Sequence, residues 1–295
     1  DQDRILDDVK TDVKMQDVRN EEGSPSSGSS AVAAMVGLGL GMVLYMFLMI
    51  YGAMVMQSVI EEKSSRVLEV VVSSVRPFEL MMGKIFGVAS VAVVQVLIWA
   101  VLVCGAGAAV MPHVLPDGAM EAAAALQQGG GAATAAAGDF DPETLGAIAL
   151  ATDVGYLAML FGYLLLFVVG GYLLYSAMFA AVGSAVDNAQ DAAQLQTPIM
   201  IPIILAVIVE MSVLNDPNSP LAFWFSLIPF TSPVVMMARI PYGIPTWEIV
   251  LSLVLLYAAF VGMVWLSAKI YRVGIFMYGK KPTLREMFRW IRYKY

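Results

Sequence analysis

The chain has 295 residues, of which 59% are hydrophobic and only 14% charged, and its mean hydropathy is +0.75. Soluble domains carry about 25% charged residues, so this composition excludes an ordinary water-soluble domain and makes lipid the main solvent. The net charge of −7 comes from 17 bases against 24 acids, and the two signs are segregated: acids crowd the stretch up to Glu22, bases the stretch from Lys269 onward. Membrane topology accounts for such segregation; a nucleic-acid partner does not.

In chain order, residues 1–22 read as the tail of a polar extracytoplasmic domain. Ile5, Val9 and Val13 fit a helical face, Val13 and Met15 a strand, and the pattern leaves both open. Residues 23–30 (GSPSSGSS) read as a flexible linker. Residues 31–56 are then free of charge, and about 20 apolar residues suffice to cross a hydrocarbon core. Residues 57–75 change to an amphipathic pattern, with Glu62, Ser65, Arg66, Glu69 and Ser73 on one stripe. Ile60, Val67, Leu68, Val71 and Val72 lie opposite. Glu62 and Arg66 stand four apart with the acid first, the favourable order, and Pro77 is expected to end the helix. A mixed, self-neutralising polar face suits a protein partner; a helix lying in the membrane interface is the alternative.

Residues 85–111 form the second charge-free run. The loop 112–153 carries no base, and its 118–138 stretch is Ala/Gly/Gln-rich, expected to be mobile and solvated; 139–146 (DFDPETLG) is expected to cap the next helix. Spans follow at 154–186, at 197–214, which Pro198 and Pro202 interrupt, and at 249–268. Residues 221–240 are apolar enough to suggest a sixth, but Pro229 and Pro233 would break it, since an interior proline costs a helix about 3 kcal/mol. A pair of short re-entrant or interfacial helices on the outer side is expected instead. Residues 283–295 (TLREMFRWIRYKY) open with Thr283 and Glu286 at capping-box spacing. Leu284, Met287, Phe288 and Ile291 oppose Arg285, Arg289 and Arg292. With Trp290, this basic amphipathic helix suits an anionic membrane surface.

Basic residues mark the cytoplasmic side. They cluster at Lys63, Arg66, Arg76 and Lys84, and again at Lys269, Arg272, Lys280, Lys281, Arg285, Arg289, Arg292 and Lys294. Placing both clusters inside puts the N-terminal segment outside, 57–84 inside, 112–153 outside, 187–197 inside, 215–248 outside and the C-terminus inside. A segment that begins outside without a signal peptide must be delivered by something upstream. The chain is therefore expected to be the later part of a longer protein with at least one further transmembrane helix before Asp1.

The chemistry of an enzyme has no support here. No Gly-Lys pair continues into Ser or Thr as a phosphate-binding loop requires: Gly83-Lys84 is followed by Ile85. HExxH is absent as well. Cys104, the one cysteine, reads as a small apolar residue in a span, and the single His113 offers no metal site. No catalytic residue, metal or cofactor is expected, so any work against a gradient must draw energy from another subunit. Ionisable or polar groups inside spans are the default functional candidates: Glu210 as a ligand for substrate or ion, or as a carboxylate wetted at the outer interface, and Gln95 as a substrate contact or, more in keeping with its type, a helix-packing group.

Several blocks also resemble a known family. Residues 57–88, QSVIEEKSSRVLEVVVSSVRPFELMMGKIFGV, are strongly similar to the first cytoplasmic loop of ABC-type-2 exporter permeases of the NatB sodium-efflux kind. The similarity continues in 183–198 (GSAVDNAQDAAQLQTP), 228–243 (IPFTSPVVMMARIPYG) and 270–292 (IYRVGIFMYGKKPTLREMFRWIR), in the family's order. The EEKSSR…E…SS…P…GK pattern is specific; the Ala/Gly loop is not. The resemblance implies six spans in the whole protein, of which this chain would hold the last five. It implies a coupling helix at Glu61, Glu62, Lys63, Arg66 and Glu69 that docks on a nucleotide-binding ATPase carrying ATP and magnesium, and a second permease half in a homo- or heterodimer. It does not name the cargo.

The expectation is an all-α, polytopic helix bundle in the bacterial cytoplasmic membrane. Residues 1–30 form the end of an outer domain plus linker, 31–271 the transmembrane domain and 272–295 a cytoplasmic basic tail. The expected function is that of an exporter permease; the alternative is a non-transporting scaffold or regulatory subunit of a larger membrane complex.

Overall fold

Residues 27–65, 75–115, 118–127, 142–277 and 283–290 are described by a computed structural model. They fold as helices: α1 (Ser27–Ser64), α2 (Pro77–Val114), α3 (Ala119–Gln127), α4 (Pro142–Thr152), α5 (Val154–Ala185), α6 (Ala189–Val213), α7 (Pro220–Leu227), α8 (Ser232–Arg239), α9 (Thr246–Gly274) and α10 (Leu284–Trp290), with a 3-10 turn at Ile240–Tyr242. Five of them, α1, α2, α5, α6 and α9, are long and apolar enough to cross a membrane.

The long helices outrun the hydrophobic windows that signal them. α1 has 38 residues, about 57 Å at 1.5 Å per residue, against a hydrocarbon core of about 30 Å. Its start absorbs the end of the expected linker, since Ser27 is already helical. Its far end absorbs the first half of the expected amphipathic helix, so residues 57–64 continue the span rather than begin a separate element; residues 66–74 lie outside the described residues. Pro77 opens α2, a position where its missing N–H costs nothing, and residues 75–76 before it are not helical.

α5 is the axis of the bundle. From Gly170 to Ala185 all but Met178 are buried, and α1, α2, α6, α8 and α9 all pack on it. Close approach to α1 needs a bare backbone at Gly183, where a Cβ would fall 2.8 Å from the Met56 carbonyl oxygen. Two tyrosines of α5 bond across to neighbouring backbones: Tyr172 Oη donates to the Ile85 carbonyl at 2.8 Å and Tyr175 Oη to that of Phe230 at 2.6 Å.

The stretch around 221–240 does not form a crossing helix. α7 and α8, eight residues each, are separated by a break at Ile228–Thr231. The break exposes carbonyls inside protein, and side chains satisfy them: Tyr175 takes Phe230 and Thr231 Oγ1 reaches the Phe225 carbonyl at 2.6 Å, as interior backbone requires. Every residue of α8 is buried. α6, by contrast, stays continuous through Pro198 and Pro202. Asn188 caps its start by accepting from the Asp191 N–H at 2.9 Å, and Asp153 caps α5 by accepting from that of Tyr156 at 3.1 Å.

The Ala-rich loop also departs from expectation. Alanine is the best helix former, and Ala119–Gln127 is a helix; Ala119 and Ala123 bury against Ile148 of α4 in a small separate core.

Candidate functional site

Two clusters of buried charge stand out, one at each end of the bundle. At the first, the C-terminal ends of α1, α5 and α9 converge on Lys63, whose side chain is 0% exposed. Its ammonium donates to the carbonyls of Ser184 at 2.8 Å and Gly274 at 2.9 Å, and pairs with Asp187 Oδ1 at 3.0 Å. Helix C-termini carry unsatisfied carbonyls and a partial negative charge, so one cation neutralises two helix ends and a carboxylate together. The meeting of these three ends is what three alternating crossings require. Alongside, Lys84 of α2 pairs with Glu62 Oε2 at 2.7 Å and donates to the Ser58 carbonyl at 3.0 Å.

The expected coupling residues therefore divide. Glu61 is exposed, Glu62 is held by Lys84, and Lys63 points inward rather than onto a docking face; Arg66 and Glu69 lie outside the described residues. The acid that sequence spacing assigned to Arg66 has a partner on another helix.

At the opposite end Arg239, 1% exposed, joins α8 to α7 and α9. Its Nε donates to the Pro217 carbonyl at 2.8 Å, and its NH1 to Ser226 Oγ at 2.6 Å and Glu248 Oε2 at 2.9 Å. Ser252 Oγ of α9 donates to the Ser226 carbonyl at 2.7 Å. Burial pulls the guanidinium below its ordinary pKa, while Glu248 and Asp216 pull it back. Glu248 lies in the first turn of α9, where the helix dipole favours an anion. Sequence reasoning passed over this cluster, although a signal existed: Arg239 is the single base between Lys84 and Lys269, set in an apolar stretch, and such a base needs a buried partner.

Glu210 lies near the same end of α6. It is 0% exposed, and among the described residues neither carboxylate oxygen has a hydrogen-bond partner. The carboxyl occupies a notch in α1: a Cβ on Gly41 would fall 2.1 Å from Glu210 Oε1, and one turn away a Cβ on Gly37 would fall 2.4 Å from the Ala238 carbonyl oxygen. The carbonyls freed by Pro198 and Pro202 belong to residues 194 and 198, at least three turns before Glu210, so they are not its ligands. Gln95 Oε1 accepts from Tyr51 Oη of α1, a helix-packing bond.

Of the residues read as a membrane-surface anchor, Arg285 and Arg289 are exposed, whereas Trp290 is 5% exposed and belongs with Met287 to the main core. The indole packs in protein because α10 folds back against α9. The capping spacing holds in part, with the Thr283 N–H donating to Glu286 Oε2 at 2.9 Å. Arg292 lies outside the described residues.

A bundle of five such helices, with buried ion pairs near its two ends and tyrosines bonding helix to helix between them, is that of a multi-pass membrane protein. Residues 5–269 match the ABC-2 family transporter protein family, so the chain belongs to that family of membrane transporter permease components. It is 27% identical over 246 residues to the uncharacterized protein YhaP of Bacillus subtilis, a match covering 83% of this chain and 52% of that protein. It is also 27% identical over 260 residues to the uncharacterized protein MJ1024 of Methanocaldococcus jannaschii, covering 88% of this chain and 54% of that one. The chain thus spans about half the length of the curated relatives it matches. No solved structure matches it.

Proposed function

We propose that this chain is the transmembrane permease part of an ATP-driven exporter in the bacterial cytoplasmic membrane, working with a separate nucleotide-binding subunit that carries ATP and magnesium, and with a second permease half. The family match over 5–269 carries the reading. The ends joined by Lys63 face the cytoplasm: Lys63, Lys84, Lys269, Arg272, Arg285 and Arg289 crowd there, and basic residues favour that side. The α7–α8 pair then lies on the outer side.

In this reading, force from the ATPase enters at Glu61, Glu62, Arg66 and Glu69, and Lys63 passes it inward. Its ammonium ties the end of α1 to those of α5 and α9, so a push on one is felt by three. Glu210 is the candidate group on the substrate path and Gln95 a support for α1 against α2. The cargo stays unassigned, because one buried carboxyl specifies no substrate.

The test is purification with the bound ATPase followed by reconstitution. Charge reversal at Glu62 and Arg66 together is expected to abolish the permease-dependent stimulation of ATP hydrolysis while membrane insertion is retained. Normal stimulation in that double variant removes the docking assignment, and stable isolation of the native protein without any nucleotide-binding partner favours the scaffold alternative.

A further inference from the structure

Among the described residues two acids are buried, and only one of them has a cation. Glu248 pairs with Arg239 at 2.9 Å; Glu210 has a hydrogen-bond partner on neither oxygen. The elements packed on α6 are α1, α5, α7 and α8, and none of their charged groups pairs with it. Within its charge-free stretch α1 offers Tyr45 and Tyr51, and Tyr51 donates to Gln95. The Glu61, Glu62 and Lys63 group of α1 stands about 30 Å along the helix from Gly41. α5 offers Tyr156, Tyr163, Tyr172 and Tyr175, the last two bonded to other backbones, and Asp153 at its cap. α7 has no titratable side chain. In α8 the one charge is Arg239, committed to Glu248, Ser226 and the Pro217 carbonyl. Beyond the helix ends stand Tyr242, a neutral phenol, and Asp216, a second acid that accepts from the Asn218 N–H.

The packing also limits what the carboxyl can bind. This chain by itself leaves Glu210 0% exposed, so no further segment or partner reaches it while α1 stays packed. One turn away on the same faces lie Ala206 and Val213 of α6 and Gly37 and Leu44 of α1. They offer no side-chain oxygen, whereas a hard metal cation takes about six oxygen ligands, and among the described residues no three His, Cys, Asp or Glu side chains gather. A proton needs a single carboxylate lone pair. A carboxyl buried without a counter-charge neutralises by taking one, because the bare anion in a medium of low dielectric costs more. The bare backbone at Gly41 leaves just the room that the carboxyl fills, since a Cβ there would fall 2.1 Å from Oε1. We infer that Glu210 is a proton-binding site: its carboxyl holds one proton while α1 lies against α6, and gives it up only when the notch at Gly41 opens to water. One O–H bond is made as α1 closes on α6 and broken as it leaves, with no change of oxidation state. Closure of α1 is thereby linked to proton uptake. The site goes beyond the exporter reading and does not depend on it.

The test compares the purified protein in detergent with its Glu210→Gln variant, whose amide has the same shape and is neutral at every pH. The first measurement is the infrared difference spectrum near neutral pH, where exposed carboxyls are ionised and the region of the un-ionised carboxyl C=O stretch is nearly clear. One such band is expected in the wild type and missing from the variant; a difference confined to the carboxylate bands overturns the proposal. If Glu210→Gln does not fold, the wild-type spectrum decides alone, and the lack of any un-ionised carboxyl band overturns it equally. The second measurement is unfolding by sodium dodecyl sulfate at a series of pH values from about 5.5 to about 8, where a Glu in the unfolded chain is ionised. A folded chain that keeps a proton the unfolded chain releases loses stability as pH rises, by up to about tenfold in the unfolding constant per pH unit. The wild type is expected to show that slope in excess of the variant. Because slopes are compared, a uniform loss of stability in the variant does not enter. Equal slopes overturn the proposal. So does stabilisation of the wild type, but not of the variant, by sodium or magnesium ions at fixed pH and ionic strength, which would make the carboxylate a metal ligand. Neither measurement involves an ATPase, so the proton site and the exporter reading fail separately.

Discussion

The two ends of the bundle bury charge by opposite means. At the Lys63 end a point-like ammonium meets helix C-termini, donating to two backbone carbonyls and pairing with Asp187. At the Arg239 end a planar fork meets side chains and a loop carbonyl, with the counter-charge Glu248 at a helix N-terminus. Both arrangements follow the helix dipole, cation at C-termini and carboxylate at an N-terminus. They differ in what they hold. Lys63 joins the ends of three crossing helices and lies next to the segment that precedes α2; Arg239 fixes two short helices on the end of one span. Under the proposed function the first would transmit movement and the second resist it.

Substitutions that remove one partner test that contrast, and the largest effect is expected at Arg239. Arg239→Met leaves Glu248 buried without its cation, which costs about 3–5 kcal/mol, read as a loss of thermal stability in detergent. Arg239→Met with Glu248→Met is expected to recover much of that loss, because two apolar side chains replace a desolvated pair. Next comes Lys63→Met, expected to cost about 3 kcal/mol, a little less because Asp187 is 31% exposed and stays partly hydrated. Its distinguishing readout is the ATPase rate of the assembled complex. Loss of permease stimulation beyond that of an equally destabilised Arg239 variant supports transmission through Lys63; equal behaviour of the two removes the contrast.

A smaller effect tests the notch at Glu210. Gly41→Ala drives a methyl into the carboxyl and is expected to cost about 1–3 kcal/mol, and the double variant with Glu210→Ala is expected to regain stability, since the obstructing atoms are side chain. Gly37→Ala meets the Ala238 backbone instead and should find no such suppressor at position 210. The smallest change is expected midway between the ends, where Gln95→Leu forfeits the bond from Tyr51 for about 1 kcal/mol in a denaturation midpoint.

Much of the architecture was readable from patterns that depend on solvent alone. Apolar runs long enough for a bilayer, four of them charge-free and the one at 197–214 broken only by Glu210, located the five long helices, and Pro229 and Pro233 argued against a continuous helix through 221–240. What misled were the boundaries. A hydropathy window ends where charge begins, but a helix continues as long as its backbone bonds are made, so α1 ran on through Glu61, Glu62 and Lys63. The site was less legible. Spacing along one helix paired Glu62 with Arg66, which lies outside the described residues, and could not show that Lys84 reaches the same acid from another helix. The same pattern treated Lys63 and Trp290 as surface residues, since periodicity assigns a face but not the neighbour that covers it.

By itself, the sequence determined the solvent, the number of long helices and the family, because apolar length and local motifs carry that information without any contact between distant residues. Only the tertiary structure decided that Lys63 closes three helix ends, that Arg239 pairs with Glu248, and that Glu210 is buried in a glycine notch. Each depends on contacts between different helices, set by the packing of those helices rather than by spacing along any one of them.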